Sequence, residues 1–361
     1  MTQPTDNGTT ASTMKALVYH GPNSLALEDR PRPGIMQPTD AIVRITTTTI
    51  CGTDLHIFKG DVPTIAAGRI LGHEGVGIVD EVGTNVGDFQ KGDKVLISLI
   101  SSCGRCSFCK KGMYSHCRTG GWLLGNSIDG TQAEYVRIPY ADTSLYLLPP
   151  EVDDEAMVML SCNLPTGLEC GALSGQVKPG DCVAIVGAGP VGLAALLTVQ
   201  LYSPAEIIMI DLDDNRLATA RSLGATQLVN SSDGTAAKRI MALTEKAGVD
   251  VAIEAVGLPV TFDICQAIIA PGGRIAIVGV HGTSVELHLE RLWAANITLT
   301  TRLVDAGTTP MLLGMVQSGR IDAKKLVSHR FKLSEIIKAY ETFGNAAKEH
   351  ALKVVIKGDS Q

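Results

Sequence analysis

Four cysteines stand at Cys103, Cys106, Cys109 and Cys117 in a C-x2-C-x2-C-x7-C spacing, punctuated by Gly104, Gly112 and Gly120. A short glycine-rich segment can wrap around a point, and four thiolates gathered this way suit tetrahedral Zn²⁺. Four sulfur ligands leave no position for water or substrate, so the spacing predicts a structural zinc rather than a catalytic one. An iron–sulfur cluster is the competing occupant. A nucleic-acid knuckle would need a basic groove, which Lys110 and Lys111 alone do not make.

A second set of donors lies upstream, in Cys51-Gly-Thr-Asp-Leu-His56 and Gly72-His73-Glu74-Gly75. Singly, a buried cysteine is usually a small apolar side chain and a histidine a hydrogen-bonded structural one. Jointly, Cys51 and His73 are candidate zinc ligands on neighbouring strand ends or loops. A catalytic zinc takes three protein ligands and keeps one position open. The third must then come from Glu74 or from Cys162, which precedes Pro165-Thr166-Gly167. Asp54 is placed to accept the proton on the other ring nitrogen of His73 and so fix its tautomer. The remaining cysteines, Cys170, Cys182 and Cys265, read as buried packing residues.

From residue 183 an apolar strand runs into Gly187-Ala-Gly189-Pro190-Val191-Gly192 and then an apolar helix, the context a dinucleotide fingerprint requires. Gly187 permits the tight turn, Gly189 lets a pyrophosphate approach the backbone, and Gly192 lets the helix pack on the strand. Asp211 closes the next strand, where a carboxylate accepts hydrogen bonds from the adenosine ribose hydroxyls. That predicts NAD, because a 2′-phosphate would meet like charge. Arg216 is the nearby cation that would soften this discrimination.

These residues need elements to hold them. The first 160 residues alternate β-branched runs with glycine turns, at 15–19, 41–49, 75–82, 94–99 and 133–138, which reads as an all-β, barrel-like domain. Near residue 165 the pattern becomes strands at 183–186, 207–210, 227–229, 251–254 and 274–278, interleaved with helices at 191–201, 214–223 and 236–246. Strand–helix alternation is the signature of a parallel sheet with crossovers. Beyond about residue 300 the reading is helices at 309–318 and 334–343 and a last strand at 352–356.

A chain of 361 residues exceeds one ordinary core, so two domains are expected. A formal net charge of -6 gives no electrostatic footprint for nucleic acid or acidic lipid, which leaves a small molecule as the expected partner. Residues 1–13 read as a polar, disordered leader without signal-peptide features, and cytoplasmic residence follows as the default expectation. The uncharged run 182–205 has the length of a membrane span, but its glycines and Pro190 fall where a strand–turn–helix bends.

In combination and in this order, the motifs resemble those of the zinc-containing medium-chain alcohol dehydrogenases from residue 14 to residue 357. Ile45-Thr-Thr-Thr-Thr-Ile-Cys-Gly-Thr-Asp and Asp129-Gly-Thr-Gln-Ala-Glu-Tyr are similar to the bacterial NAD-dependent branch. The resemblance implies an α/β chain in which a Rossmann doubly wound parallel sheet, 165–299, is inserted after a GroES-like β-barrel catalytic domain, 14–164 with 300–361. Substrate would lie in the cleft between them.

The resemblance also implies two Zn²⁺ per chain, the catalytic one held by Cys51, His73 and Cys162, with Glu74 able to coordinate as the metal exchanges its water. Cysteine at 162 agrees with the vertebrate-type enzymes, whereas similar bacterial secondary-alcohol enzymes place aspartate there. Thr53 and His56 match a proton relay that runs through the nicotinamide ribose, and an imidazole exchanges protons with solvent near neutral pH. Val256, Val278 and Val280 would lie along the nicotinamide half of NAD, Lys353 near the pyrophosphate, and Trp122 in the substrate pocket. The implied activity is hydride transfer between NAD and a small primary or secondary alcohol, by a homotetramer. A polyol or threonine dehydrogenase is the enzymatic alternative. A zinc-stabilised NAD-binding sensor is the non-enzymatic one, and the intact set Cys51, Thr53, His56 and His73 argues against it.

Overall fold

The structure is a computed structural model that describes residues 12–359. The leader expected at 1–13 lies outside this range except for its last two residues, and Thr13 already belongs to the strand Thr13–Gly21.

Six parallel strands form one sheet: Cys182–Val186, Glu206–Asp211, Gln227–Asn230, Val249–Glu254, Ile269–Ile277 and Thr298–Thr301. Counted along the chain, their spatial order is 3-2-1-4-5-6, the doubly wound arrangement with its switch point beside Cys182–Val186. The central strands are apolar at consecutive positions because both faces are covered. Val183, Ile185, Ile207, Met209, Val251 and Ile253 face one core with Leu193, Leu196 and Val199 of the helix Pro190–Val199. Ala184, Val186, Ile208, Ile210 and Ala252 face the other, against Ile240 and against Phe262, Cys265 and Ile268 of the helix Pro259–Ile268. The apolar run at 182–205 is thus a strand, a turn and a helix, and no helix among the described residues is long and apolar enough to cross a membrane.

The other large sheet has seven strands. Val327–Lys332, Lys353–Lys357, Ala41–Ile50, Gly75–Val82, Lys94–Ile97 and Leu145–Leu147 pair in that order, and Tyr135–Ile138 also pairs with Ala41–Ile50. Lys353–Lys357 pairs antiparallel with Ala41–Ile50, so the end of the chain completes the sheet begun by its first third. A three-stranded sheet of Ser24–Pro31, Thr13–Gly21 and Arg69–Ile70 lies beside it.

Periodicity misses several elements, among them the helix Gly52–Lys59 and the strands Thr298–Thr301 and Val327–Lys332, and three show why. Ser24–Pro31 is an edge strand whose apolar stretch, Leu25-Ala26-Leu27, gives way to Glu28, Asp29 and Arg30 before an alternating pattern forms. Leu145–Leu147 is only three residues long. Pro259–Ile268 carries a start signal in Pro259 at its first turn, and its inward face is Phe262, Cys265 and Gln266. Of the cysteines read as packing, Cys265 and Cys170 are buried, whereas Cys182 is part-exposed at a strand start.

Candidate active site

Ala41–Ile50 ends at Cys51, which caps the helix Gly52–Lys59. Asp54, in the first turn, accepts the Cys51 N–H at 2.8 Å and so pins the capping residue. Thr53 and His56 are three apart on this helix and share a face. His73 and Glu74 occupy the link between Arg69–Ile70 and Gly75–Val82. That link turns at Gly72, whose φ of +92° and close approach to the Gln132 side chain and backbone exclude any larger residue. Cys162 caps the helix Asn163–Thr166, which leads into the π-helical segment Gly167–Leu173. At Gly167 that segment lies backbone against backbone on Ala194 and Ala195 of the cofactor-side helix. One metal-site cysteine is therefore tied mechanically to the parallel sheet.

The donor atoms of Cys51, His73, Glu74 and Cys162 all lie within 4.8 Å of one another, and all four residues are buried. Glu74 Oε2 is paired with Lys353 Nζ at 2.5 Å, both side chains being 1% exposed, and also accepts the Thr49 hydroxyl. His73 Nδ1 faces Asp54 Oδ1 at 3.6 Å, and among the described residues neither atom has another partner. Burial opposes a proton on His73, but the Asp54 carboxylate and Cys51 outweigh it and lift its pKa to about 9. Burial lifts Asp54 to about 6 despite His73. A hydrogen bond with Cys162 holds the Cys51 thiol well below its usual value against burial, and the same contact pushes Cys162 well above.

Cys103, Cys106, Cys109 and Cys117 likewise bring their sulfurs within 4.8 Å of one another. Backbone N–H groups of Arg118 and Cys109 bring Cys106 down to about 6, whereas burial and its sulfur neighbours push Cys109 to about 12. Amides aimed at sulfur are the setting of a thiolate zinc knuckle. Both clusters fit Zn²⁺ by this donor chemistry. In the first, Lys353 and Glu74 cancel each other, so two thiolates there would be buried charges without compensation unless a dication joined them.

In the glycine turn, Gly187 has φ +105° and Gly192 sits against the Gly187 carbonyl with no room for a Cβ. Gly189 faces open space at the N-terminus of Pro190–Val199, a cradle shaped for a phosphate group. Asp211 reaches this turn: its Oδ2 accepts the Ala188 N–H at 2.7 Å and its Oδ1 the Asp213 N–H at 3.0 Å. Arg216 is partly buried, with its Nε unpartnered among the described residues.

A cleft of about 1130 Å³ joins the two sets of residues. Cys51, His73, Cys162, Thr53, His56 and Trp122 line it together with Val191, Val278 and Val280. Trp122 stands edge-on to His73 at 6.1 Å. His56 is held at 2.9 Å by Asp61 and is 38% exposed. Val256 lies against Gly187 instead. Lys353, expected near the pyrophosphate, is sealed beneath the metal cluster on Glu74, because a carboxylate at 2.5 Å satisfies an ammonium that burial would otherwise penalise. The periodicity reading did not single out Lys111, Met113, His116, Cys170 or Arg302, which also line the cleft. His116 adjoins Cys117, a proximity that could have flagged it; Arg302 carries no local signal.

Residues 37–150 match the alcohol dehydrogenase GroES-like domain family and residues 190–318 the zinc-binding dehydrogenase family. The chain is 36% identical over 369 residues to an alcohol dehydrogenase of Cupriavidus necator, covering 95% of this chain and 98% of that one. It is 59% identical to zinc dependent alcohol dehydrogenase 2 from Streptococcus pneumonia, solved in apo form, with a TM-score of 0.92 over 96% of this chain and 99% of that one. Two further structures carry dinucleotides, each covering 96% of this chain and 99% of its own. They are rspB from E. coli CFT073 with NADH, 27% identical at a TM-score of 0.87, and a putative zinc-binding dehydrogenase from Sinorhizobium meliloti 1021 with NADP, 28% identical at 0.85. This chain belongs to the zinc-dependent medium-chain alcohol dehydrogenase family. It is a zinc-dependent alcohol oxidoreductase that combines a GroES-like domain with a Rossmann-type parallel sheet.

Proposed function

We propose that this enzyme transfers hydride reversibly between NAD and small primary or secondary alcohols. The observation that carries the reading is the single cleft onto which Cys51, His73 and Cys162 open beside Val191, Val278 and Val280. Cys51, His73 and Cys162 would hold the catalytic zinc, with Glu74 adjoining, and Cys103, Cys106, Cys109 and Cys117 the structural one. When bound, zinc supplies a Lewis acid for the alcohol oxygen and the nicotinamide supplies the hydride acceptor.

The protein's own groups do the rest. Thr53 Oγ1, 3.9 Å from Cys51 Sγ, would accept the hydroxyl proton of the substrate as it gives up its own proton towards the cleft mouth, where His56, its ring oriented by Asp61, would hand a proton to solvent. Val62, Leu99, Met113, Trp122, Leu303 and Val304 give the cleft an apolar wall, which favours a hydrocarbon chain over a polyol or an amino acid. Gly187, Gly189, Pro190 and Gly192 would cradle the pyrophosphate, Val256 would flank it, and Asp211 would hold the adenosine ribose. Asp211 sets a negative charge where a 2′-phosphate would sit, which favours NAD over NADP.

The division of labour proposed is metal sites in 14–164 with 300–361 and cofactor in 165–299. Assembly as a homotetramer is part of the same reading. It is supported by the open edge of Thr298–Thr301 in the sheet, and by Trp293 at 79% exposure nearby in sequence. The test is a rate screen of ethanol, 2-propanol, benzyl alcohol, sorbitol and threonine with each dinucleotide. Turnover of the first three with NAD is expected. Preference for sorbitol or threonine, or equal catalytic efficiency with NADP, would refute it.

A further inference from the structure

Behind the Asp54–His73 pair runs a buried hydrogen-bond chain that begins in the C-terminal helix Ile336–Gly344. Tyr340 Oη donates to Gln132 Oε1 at 2.8 Å. Gln132, 0% exposed, donates from Nε2 to the Thr49 carbonyl at 3.1 Å and to Asp54 Oδ2 at 3.2 Å. The same Asp54 oxygen accepts the Cys51 N–H. Chemistry fixes the direction of the amide, because reversing it would set Gln132 Oε1 against two acceptors, a carbonyl and a carboxylate. Burial keeps the Tyr340 hydroxyl protonated, so it remains a donor.

The consequence falls on Asp54. With Oδ2 held by two donors, the Cys51 N–H at the end of Ala41–Ile50 and the Gln132 amide from the segment ahead of Tyr135–Ile138, the carboxylate is fixed so that Oδ1 faces His73 Nδ1. The turn that carries His73 rests directly on Gln132, since Gly72 is packed against its side chain. A hydrogen bond to one imidazole nitrogen decides which nitrogen is free to bind metal and where it points.

We propose that Gln132 and Tyr340 are positioning residues for the catalytic metal: acting through Asp54, they hold His73 in the tautomer and orientation that retain zinc. The inference rests on the assignment of Cys51, His73 and Cys162 as ligands. Its elements come from three distant stretches of chain, and neither Gln132 nor Tyr340 lines the cleft.

The experiment compares zinc release into a chromophoric chelator from purified wild type, Tyr340→Phe and Gln132→Met, with thermal midpoints and steady-state constants measured alongside. Wild type is expected to release two zinc equivalents in separate phases. In the variants one phase accelerates by about ten- to a hundredfold and kcat falls, while the other phase and KM for NAD hold. Tyr340→Phe removes a single oxygen from a buried ring, so it serves if Gln132→Met does not fold. Unchanged release from a folded variant would overturn the proposal. So would equal acceleration of both phases in step with a lower thermal midpoint, which is what a purely structural role produces. A wild type holding one zinc equivalent would overturn the ligand assignment itself, and this inference with it.

Discussion

Lys353 and Glu74 neutralise each other at 2.5 Å and Asp54 faces His73, so Cys51 and Cys162, both as thiolates, would be buried charges with no counterpart among the described residues. A dication would supply that counterpart, and on the proposed assignment the same dication would be the Lewis acid of the reaction. Cys51→Ala should therefore lower zinc content from two to one per chain and leave NAD affinity intact. Lewis-acid stabilisation of several kcal/mol, at about 1.4 kcal/mol per tenfold, puts the expected loss of turnover at about a thousandfold or more. A variant that kept both its zinc and its rate would show the metal to be elsewhere. At this scale the local patterns were legible: four cysteines within a short run, Cys51 with Thr53 and His56, and the three glycines all lie close together in sequence. The partners that tune them were not, because Lys353 meets Glu74 across 279 residues of chain and Gln132 meets Asp54 across 78, where no spacing rule operates.

The strand–turn–helix at 182–199 shows how one element sets another's chemistry. Gly187 and Gly192 touch, so the helix starts close on the strand end and its first N–H groups face the space beside Gly189. In Gly192→Ala the new methyl would run into the Gly187 carbonyl oxygen, which cannot give way without moving the turn. Dissociation constants for NAD should rise by about tenfold or more, as one 1.4 kcal/mol step implies, with zinc content unchanged. Titration of NAD by calorimetry or fluorescence decides it, and wild-type affinity would mean that the pyrophosphate does not use this turn. Elements with a clean period were readable beforehand. Ser24–Pro31 was not, since an edge strand half open to water keeps charged residues where the pattern wants apolar ones.

Across the molecule, the end of the chain returns to the start: Lys353–Lys357 pairs with Ala41–Ile50, and Glu155 gathers Arg330 at 2.7 Å and Lys357 at 2.9 Å. The Arg330 hydrogen bonds, against burial and aided by Lys357, bring the Glu155 carboxyl from 4.5 to about 2. A carboxyl depressed in the folded state stabilises at pH values above its unfolded pKa and loses that contribution as pH falls towards the folded one. Thermal midpoints of wild type should therefore drop as pH falls from about 4.5 towards 2, whereas Glu155→Gln should be less stable at neutral pH and show a shallower acid slope. Identical slopes would remove Glu155 from the account. That the first third, the parallel sheet and the last strand form one enzyme was expected from motif order. How the zinc side meets the cofactor side was not, because it depends on the Cys162 helix continuing into Gly167–Leu173 and docking on Pro190–Val199. Anomalous diffraction at the zinc edge from crystals grown with NAD examines that meeting most directly. The predicted result is a zinc peak bonded to Cys51 Sγ, His73 Nε2 and Cys162 Sγ with the nicotinamide ring in the same cleft; a peak at the four-cysteine cluster alone, or a nicotinamide bound away from His73, would contradict it.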